Sequence, residues 1–194
     1  MIDWFMSRFD LPTDLPRPVD DGACAHLAGF RIPSVELPAT NGEPVDLSRL
    51  AGRIIVFCYP RTGRPDEPVP KSWDAIPGAR GCTPQACSFR DSYQALIDAG
   101  ADQIFGLSTQ DSDYQKEAAE RLHLPYSLLS DNKLLLSRAL RLPTFDFANM
   151  TLIKRTTLII DKAVISKLFY PVFPPDESAN ETLAWLKEHP VAAV

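Results

Sequence analysis

Two thiols five residues apart at the start of an apolar-periodic run are the part of this chain best equipped for chemistry. The stretch reads Arg80-Gly81-Cys82-Thr83-Pro84-Gln85-Ala86-Cys87-Ser88-Phe89-Arg90-Asp91. Thr83 suits an N-cap and Pro84 the first helical position. Phe89, Tyr93, Leu96 and Ile97 repeat at i, i+4, i+7 and i+8, which predicts a helix from Pro84 to Ala99, closed by Gly100. Cys82 then falls just ahead of a helix N-terminus, where unpaired N–H groups and the helix dipole favour negative charge. A thiol so placed ionises more readily, and the thiolate is the nucleophile. In an intact helix Cys87 lies roughly 7–9 Å farther along the axis. A disulfide needs Cα atoms closer than about 7 Å. If the two sulfurs bond, the first turns must unwind, which fits a redox cycle better than a structural staple.

The elements that must position this segment follow from pattern. Arg53-Ile54-Ile55-Val56-Phe57-Cys58-Tyr59 is nearly all apolar and largely β-branched, as for a central strand buried on both faces, and it ends at Pro60. Residues 61–81 carry so many prolines that neither helix nor inner strand is expected. A loop of that length is usually functional or mobile. Ile32–Leu37 is a short strand candidate, with a turn at Asn41-Gly42. Gln103–Leu107 reads as a second core strand and Asp111–Leu122 as a helix. Leu128-Leu129 reads as a short strand, and Asp131 caps a helix through Leu140. Phe145–Met150 reads as an apolar loop whose Phe145, Phe147 and Met150 could wall a substrate pocket. Thr156–Asp161 and Val164–Tyr170 pair through a tight turn at Lys162-Ala163, and Asp176 opens the last helix. Strands alternating with helices predict an α/β fold, a central mixed sheet covered on both faces with a hairpin at one edge.

The 194 residues, 45% hydrophobic and 23% charged, suit a globular chain with one core. Polar, proline-punctuated residues 1–22 read as an arm, packed on the body through Trp4, Phe5 and Phe9. Residues 23–194 then form the domain, with a Pro-rich insertion at about 61–80. A net charge of −5 without a basic run speaks against nucleic acid or an anionic membrane as partner. No apolar stretch reaches transmembrane length, and the first residues lack a secretory pattern. Four cysteines are too sparse for a disulfide scaffold, so a reducing, cytoplasmic setting is expected. His26, His123 and His189 form no metal spacing with any Cys pair, and neither metal nor cofactor is expected. Cys58 reads as core packing and Cys24 as a spectator, with intermolecular resolving a minor option.

The segment Gly81–Asp91 resembles the G-C-T-x-x-A-C-x-F-R-D signature of the peroxiredoxins called PrxQ, or bacterioferritin comigratory proteins. The strand ends Tyr59-Pro60 and Gly106-Leu107-Ser108, and Arg155-Thr156-Thr157-Leu158-Ile159-Ile160-Asp161, fall in that family's order. The resemblance covers about residues 28–188. It implies a thioredoxin-like fold and a thiol peroxidase acting on hydrogen peroxide and organic hydroperoxides. It gives Cys82 the peroxidatic role, Cys87 the resolving role, and Arg155 that of the arginine holding thiolate and peroxide. It implies recycling by a thioredoxin- or glutaredoxin-type dithiol protein; a monomer or homodimer is expected. Two positions depart. Where the family has Pro seven residues and Thr or Ser three residues before the peroxidatic cysteine, this chain has Ala75 and Ala79. Pro60 takes the proline role only if about fifteen residues are inserted after it, which leaves Thr62 or Thr83 as candidates for the hydroxyl. These departures motivate an alternative: a thioredoxin-fold redox sensor or regulatory binder with little turnover. A disulfide reductase fits less well, since no C-x-x-C spacing occurs.

Overall fold

The computed structural model describes residues 11–68, 70 and 72–191. The Asn41-Gly42 turn region joins β1 (Glu36–Leu37) to β2 (Val45–Asp46), paired antiparallel. A 3-10 turn, Leu47–Arg49, follows, with the Asp46 carboxylate accepting the Ser48 N–H. β3 (Arg53–Cys58) is buried at every position. Its side chains alternate between two cores: Ile54, Val56 and Cys58 enter one, Ile55 and Phe57 the other. That two-sided burial is why the strand lacks polar alternation.

Helix α1 (Cys82–Asp91) follows the insertion, and α2 (Tyr93–Asp98) follows α1 after a break at Ser92. β4 (Gln103–Ser108) runs parallel to β3, and β5 (Leu128–Ser130) parallel to β4. Between them lies α3 (Ser112–Arg121), capped by Asp111. α4 (Leu135–Leu140) is anchored by the buried Asp131 carboxylate, which accepts the Leu136 and Ser137 N–H groups. β6 (Thr144–Phe147) and β7 (Met150–Ile153) form a separate hairpin. β8 (Thr156–Asp161) and β9 (Val164–Phe169) close the main sheet, whose order is β5-β4-β3-β8-β9. Lys162 and Ala163 both take positive φ in the two-residue turn between them, as a hairpin of this length requires. α5 (Ser178–Glu188) ends the described fold.

The α/β expectation holds. One core packs α1, α2, α3 and α5 on one face of the mixed sheet, and the other packs α4 against the opposite face. Three local expectations are corrected. The helix expected over 84–99 begins two residues earlier and is broken at Ser92. The strand expected over 32–37 shrinks to its last two residues. The apolar loop expected over 145–150 is the end of the β6–β7 hairpin. Its turn residues Ala148 and Asn149 stand at φ 47° and 63°, a conformation that Ala does not announce in sequence. The described residues of the insertion form neither helix nor strand, only turns, bends and irregular chain, as its prolines dictate. The expected packing of Trp4, Phe5 and Phe9 lies outside the described residues. Farther along, Asp21 accepts hydrogen bonds from Lys154 and the Tyr170 hydroxyl, so residues 11–22 lie against the body.

Candidate active site

Cys82 occupies the first residue of α1, and the cap is Gly81 rather than Thr83. Gly81 stands at φ 102°, and a Cβ there would lie 2.3 Å from a carbon of Pro175. Only glycine fits that combination. Thr83 and Pro84 are therefore the second and third helical residues, and the unpaired N–H groups of Cys82 and Thr83 crown the thiol's end of the helix. The Cys82 side chain is buried. The main-chain N–H of Arg61 donates to its sulfur at 3.4 Å, and Arg155 Nη2 donates at 3.3 Å. In the thiol form the S–H points to the Ala79 carbonyl, 3.6 Å away.

Arg155 leads into β8 and is 3% exposed. Nη2 also donates to the carbonyls of Gly78, Ala79 and Arg80, and Nη1 donates to Gln85 Oε1. Gln85, one turn after Cys82 and fully buried, is held in turn by Ser178, which meets Thr157. Among the described residues Arg155 meets no carboxylate. A buried charge without a counter-charge is strongly unfavourable. The group within hydrogen-bonding reach that can become an anion is Cys82.

The other thiols lie in different surroundings. Burial pushes the Cys87 thiol up, against the opposing pull of Arg90. Burial also raises Cys24 to about 11 and Cys58 higher still. All four sulfurs are unpaired, with α1 wound between Cys82 and Cys87. Cys87 packs in the core with Phe57, Phe89 and Tyr126, where Phe57 and Phe89 stack at 4.4 Å.

Pro60 is buried at the end of β3 and turns the chain so that Arg61 reaches the sulfur. The insertion thus leaves the sheet beside Cys82 and returns to it. The Thr62 hydroxyl donates to Gln110 Oε1 at 3.1 Å. No hydroxyl meets Cys82 Sγ among the described residues: a main-chain N–H holds that side of the sulfur. Ala79, in the family's hydroxyl position, offers only its carbonyl, and Ala75 is exposed. Sequence reasoning missed Gln85, Gln110 and the Arg61 N–H. Gln85 could have been found at i+3 from Cys82 on one helical face. Gln110 could have been found just past the carboxyl end of a parallel strand, where sites gather. A main-chain donor leaves no sequence signal.

A cavity of about 320 Å³ opens over the sulfur, with walls that include Arg64, Trp73, Thr83, Leu122 and Phe147. Trp73 packs edge-on against Phe147 at 4.9 Å and lies 6.1 Å from Phe145. Phe147 reaches the cavity; Phe145 and Met150 pack behind it with Ile76.

A buried thiol under a guanidinium, at a helix start on a mixed sheet of this order, defines a thiol-based redox protein. The Redoxin family model matches residues 27–183. Peroxiredoxin Q, chloroplastic, from Sedum lineare is 34% identical over 161 residues, spanning 82% of this chain and 77% of that protein. Its Arabidopsis thaliana counterpart is also 34% identical, over 82% of this chain and 66% of its own length. The crystal structure of peroxidoxin BcpB from Mycobacterium tuberculosis superposes with a TM-score of 0.68 at 27% identity, over 84% of this chain and 98% of that one. The chain belongs to the peroxiredoxins, in the group of peroxiredoxin Q and the bacterioferritin comigratory proteins. It is a thiol-dependent peroxidase with the thioredoxin-like fold, and the redox-sensor alternative is not favoured. Its substrate is a peroxide and its reductant a thiol. No helix among the described residues is long and apolar enough to cross a membrane.

Proposed function

We propose that Cys82 is the peroxidatic and Cys87 the resolving cysteine of a two-cysteine cycle, with Arg155 as the group that stabilises charge. The observation that carries this is the buried guanidinium facing Cys82 Sγ at 3.3 Å with no carboxylate among the described residues to neutralise it. The sulfur anion attacks the distal peroxide oxygen. An S–O bond forms and the O–O bond breaks; the sulfur becomes a sulfenic acid, and the peroxide leaves as alcohol or water after taking up a proton. Arg155 and the Arg61 N–H face the developing charge from fixed positions. The first turns of α1 then unwind, and the Cys87 thiol displaces hydroxide as water to form the Cys82–Cys87 disulfide. A thioredoxin- or glutaredoxin-type dithiol protein takes up the disulfide through a mixed disulfide and restores both thiols. Pro60 shapes the loop that presents the Arg61 N–H, and Thr62 acts through that loop.

The cavity's apolar walls support organic hydroperoxides as substrates beside hydrogen peroxide. Sparse, unpaired cysteines support a reducing, cytoplasmic setting. We read residues 23–194 as one domain with the arm at 1–22, working as a monomer or homodimer. The test is peroxide-dependent thiol loss with peptide mapping. Cys82→Ser abolishes turnover. Cys87→Ser gives one turnover and no recycling by a dithiol donor. Turnover persisting in Cys82→Ser would move the nucleophile elsewhere.

A further inference from the structure

A side-chain amide is bonded to the peptide next to the sulfur as another strand would be. Gln110 lies just past β4 and is 9% exposed; Thr62, across from it, is 2% exposed. Gln110 Oε1 accepts the Thr62 N–H at 2.9 Å, and Nε2 donates to the Thr62 carbonyl at 3.1 Å. The amide therefore satisfies both main-chain polar groups of one residue, a pairing otherwise made by a backbone neighbour. The Thr62 hydroxyl bonds the same oxygen.

Gln110 is itself fixed from both sides. Its N–H donates to Ser108 Oγ at 3.2 Å, and its carbonyl accepts from Ser130 Oγ at 2.6 Å. Ser108 Oγ is held in turn by Gln115 Nε2, which also donates to the Leu129 carbonyl. A chain of bonds thus runs from the ends of β4 and β5, through Gln110, to the residue after Arg61. The Tyr59 N–H still pairs with the Leu107 carbonyl of β4 at 3.0 Å; from residue 60 to 66 the described chain belongs to no strand, and Thr62 is where it is tied to Gln110.

We propose that Gln110 is a positioning residue for the reaction: by clamping the Thr62 peptide it holds the Arg61 N–H on Cys82 Sγ, supplying through the backbone the donor that Ala79 cannot supply through a side chain. This rests on the reading of Cys82 as the reactive thiol. The Thr62 N–H lies in the peptide on the carboxyl side of Arg61 and buried Pro60 stands on its amino side, so clamping Thr62 leaves only Arg61's own φ and ψ between a fixed peptide and the Arg61 N–H. A donor to a charged acceptor contributes only while it stays aligned. The insertion leaves the chain after Pro60 free of sheet pairing, and a flexible loop there would let the N–H swing away. Gln110 removes that freedom before the peroxide arrives.

The experiment compares wild type, Gln110→Ala and Gln110→Glu by stopped-flow oxidation and by the pH profile of Cys82 alkylation, with peptide mapping. Glu keeps the acceptor for the Thr62 N–H, but as a carboxylate it cannot donate to the Thr62 carbonyl, and its shape makes it the fallback should the Ala variant fail to fold. The expected result is a fall of about tenfold in the rate of Cys82 oxidation by hydrogen peroxide, as for losing one bond to a charged group. The Cys82 alkylation profile moves to higher pH, while that of Cys87 in the same protein stays in place. A purely structural role would lower the melting temperature without moving the Cys82 profile. Folded variants whose Cys82 rate and profile match wild type within twofold would overturn the proposal. Peroxide consuming a thiol other than Cys82 in the wild type would instead overturn the assignment of Cys82 and leave Gln110 without a role to position.

Discussion

Arg155 brings a full positive charge into the interior and finds carbonyls, an amide and one sulfur. Carbonyls and an amide oxygen solvate a cation in part, but an anion does so best. Replacing Arg155 by Met removes the donor and the charge together, and the second-order rate of thiol oxidation should fall about a hundredfold or more, the scale of losing one donor to a developing anion. Arg155→Lys should fall between, because a point charge cannot span Gln85 and the sulfur as the planar fork does. Among the thiols, burial holds Cys24 at about 11 and raises Cys58 and Cys87. Iodoacetamide at pH 7 should therefore label Cys82 first, as mass mapping of briefly treated protein would show.

At the scale of elements, two pieces set the site. The first is the start of α1, where a side chain on Gly81 would meet both Pro175 and Leu11. Gly81→Ala should lose about 1–2 kcal/mol from the left-handed conformation alone, and more from the contact, read as a lower urea midpoint. The second is the insertion, fastened to the β6–β7 hairpin by Trp73 against Phe145 and Phe147. Trp73→Ala should lower stability by about 3 kcal/mol and loosen the cavity wall. KM for cumene hydroperoxide should rise, with little change for hydrogen peroxide. Phe147→Ala should shift preference the same way, and an unchanged ratio of the two substrates would remove the hairpin from the cavity's specificity.

Across the whole molecule the sheet is tied at its far end from the thiol. Arg53 donates to Asp161 across β3 and β8 at 2.8 Å and to the His189 carbonyl at 2.6 Å, while its guanidinium stacks over Trp185. Burial is the largest single influence and works to raise the Asp161 carboxyl, but the Arg53 hydrogen bonds, Ser166 and the Arg53 and Lys162 charges together hold the group below the usual carboxylate range. Burial likewise opposes the hydrogen bonds from Ser34 and Ser48 that hold Asp46 low. Groups lowered in the folded state bind a proton more readily when unfolded, so their contribution is present above the unfolded value of 3.8 and is lost as pH falls through the folded value. The urea midpoint should therefore drop below about pH 4, and Asp161→Asn should flatten that drop while lowering stability at pH 7.

The strands of the main sheet, the helix at the thiols and the two-faced core were legible in the sequence because they are local: a run such as Ile54-Ile55-Val56-Phe57 suits few environments, and Cys82 sits beside a helix start by spacing alone. Arg155 was legible through its place in a family pattern, since nothing near it in the chain distinguishes it from a strand-edge cation. What only the tertiary structure decided is which groups reach the sulfur. Thr62 looked like the missing hydroxyl by nearness in sequence, yet its hydroxyl turns to Gln110, and the donor is the Arg61 main chain, which every residue but proline carries. Residues 145–150 looked like loop because Ala148 gives no sign of the positive φ it adopts. A side-chain type and its spacing record what a residue can do; the direction of an N–H across a twenty-residue insertion is fixed by packing between segments distant in the chain, and no local pattern encodes it.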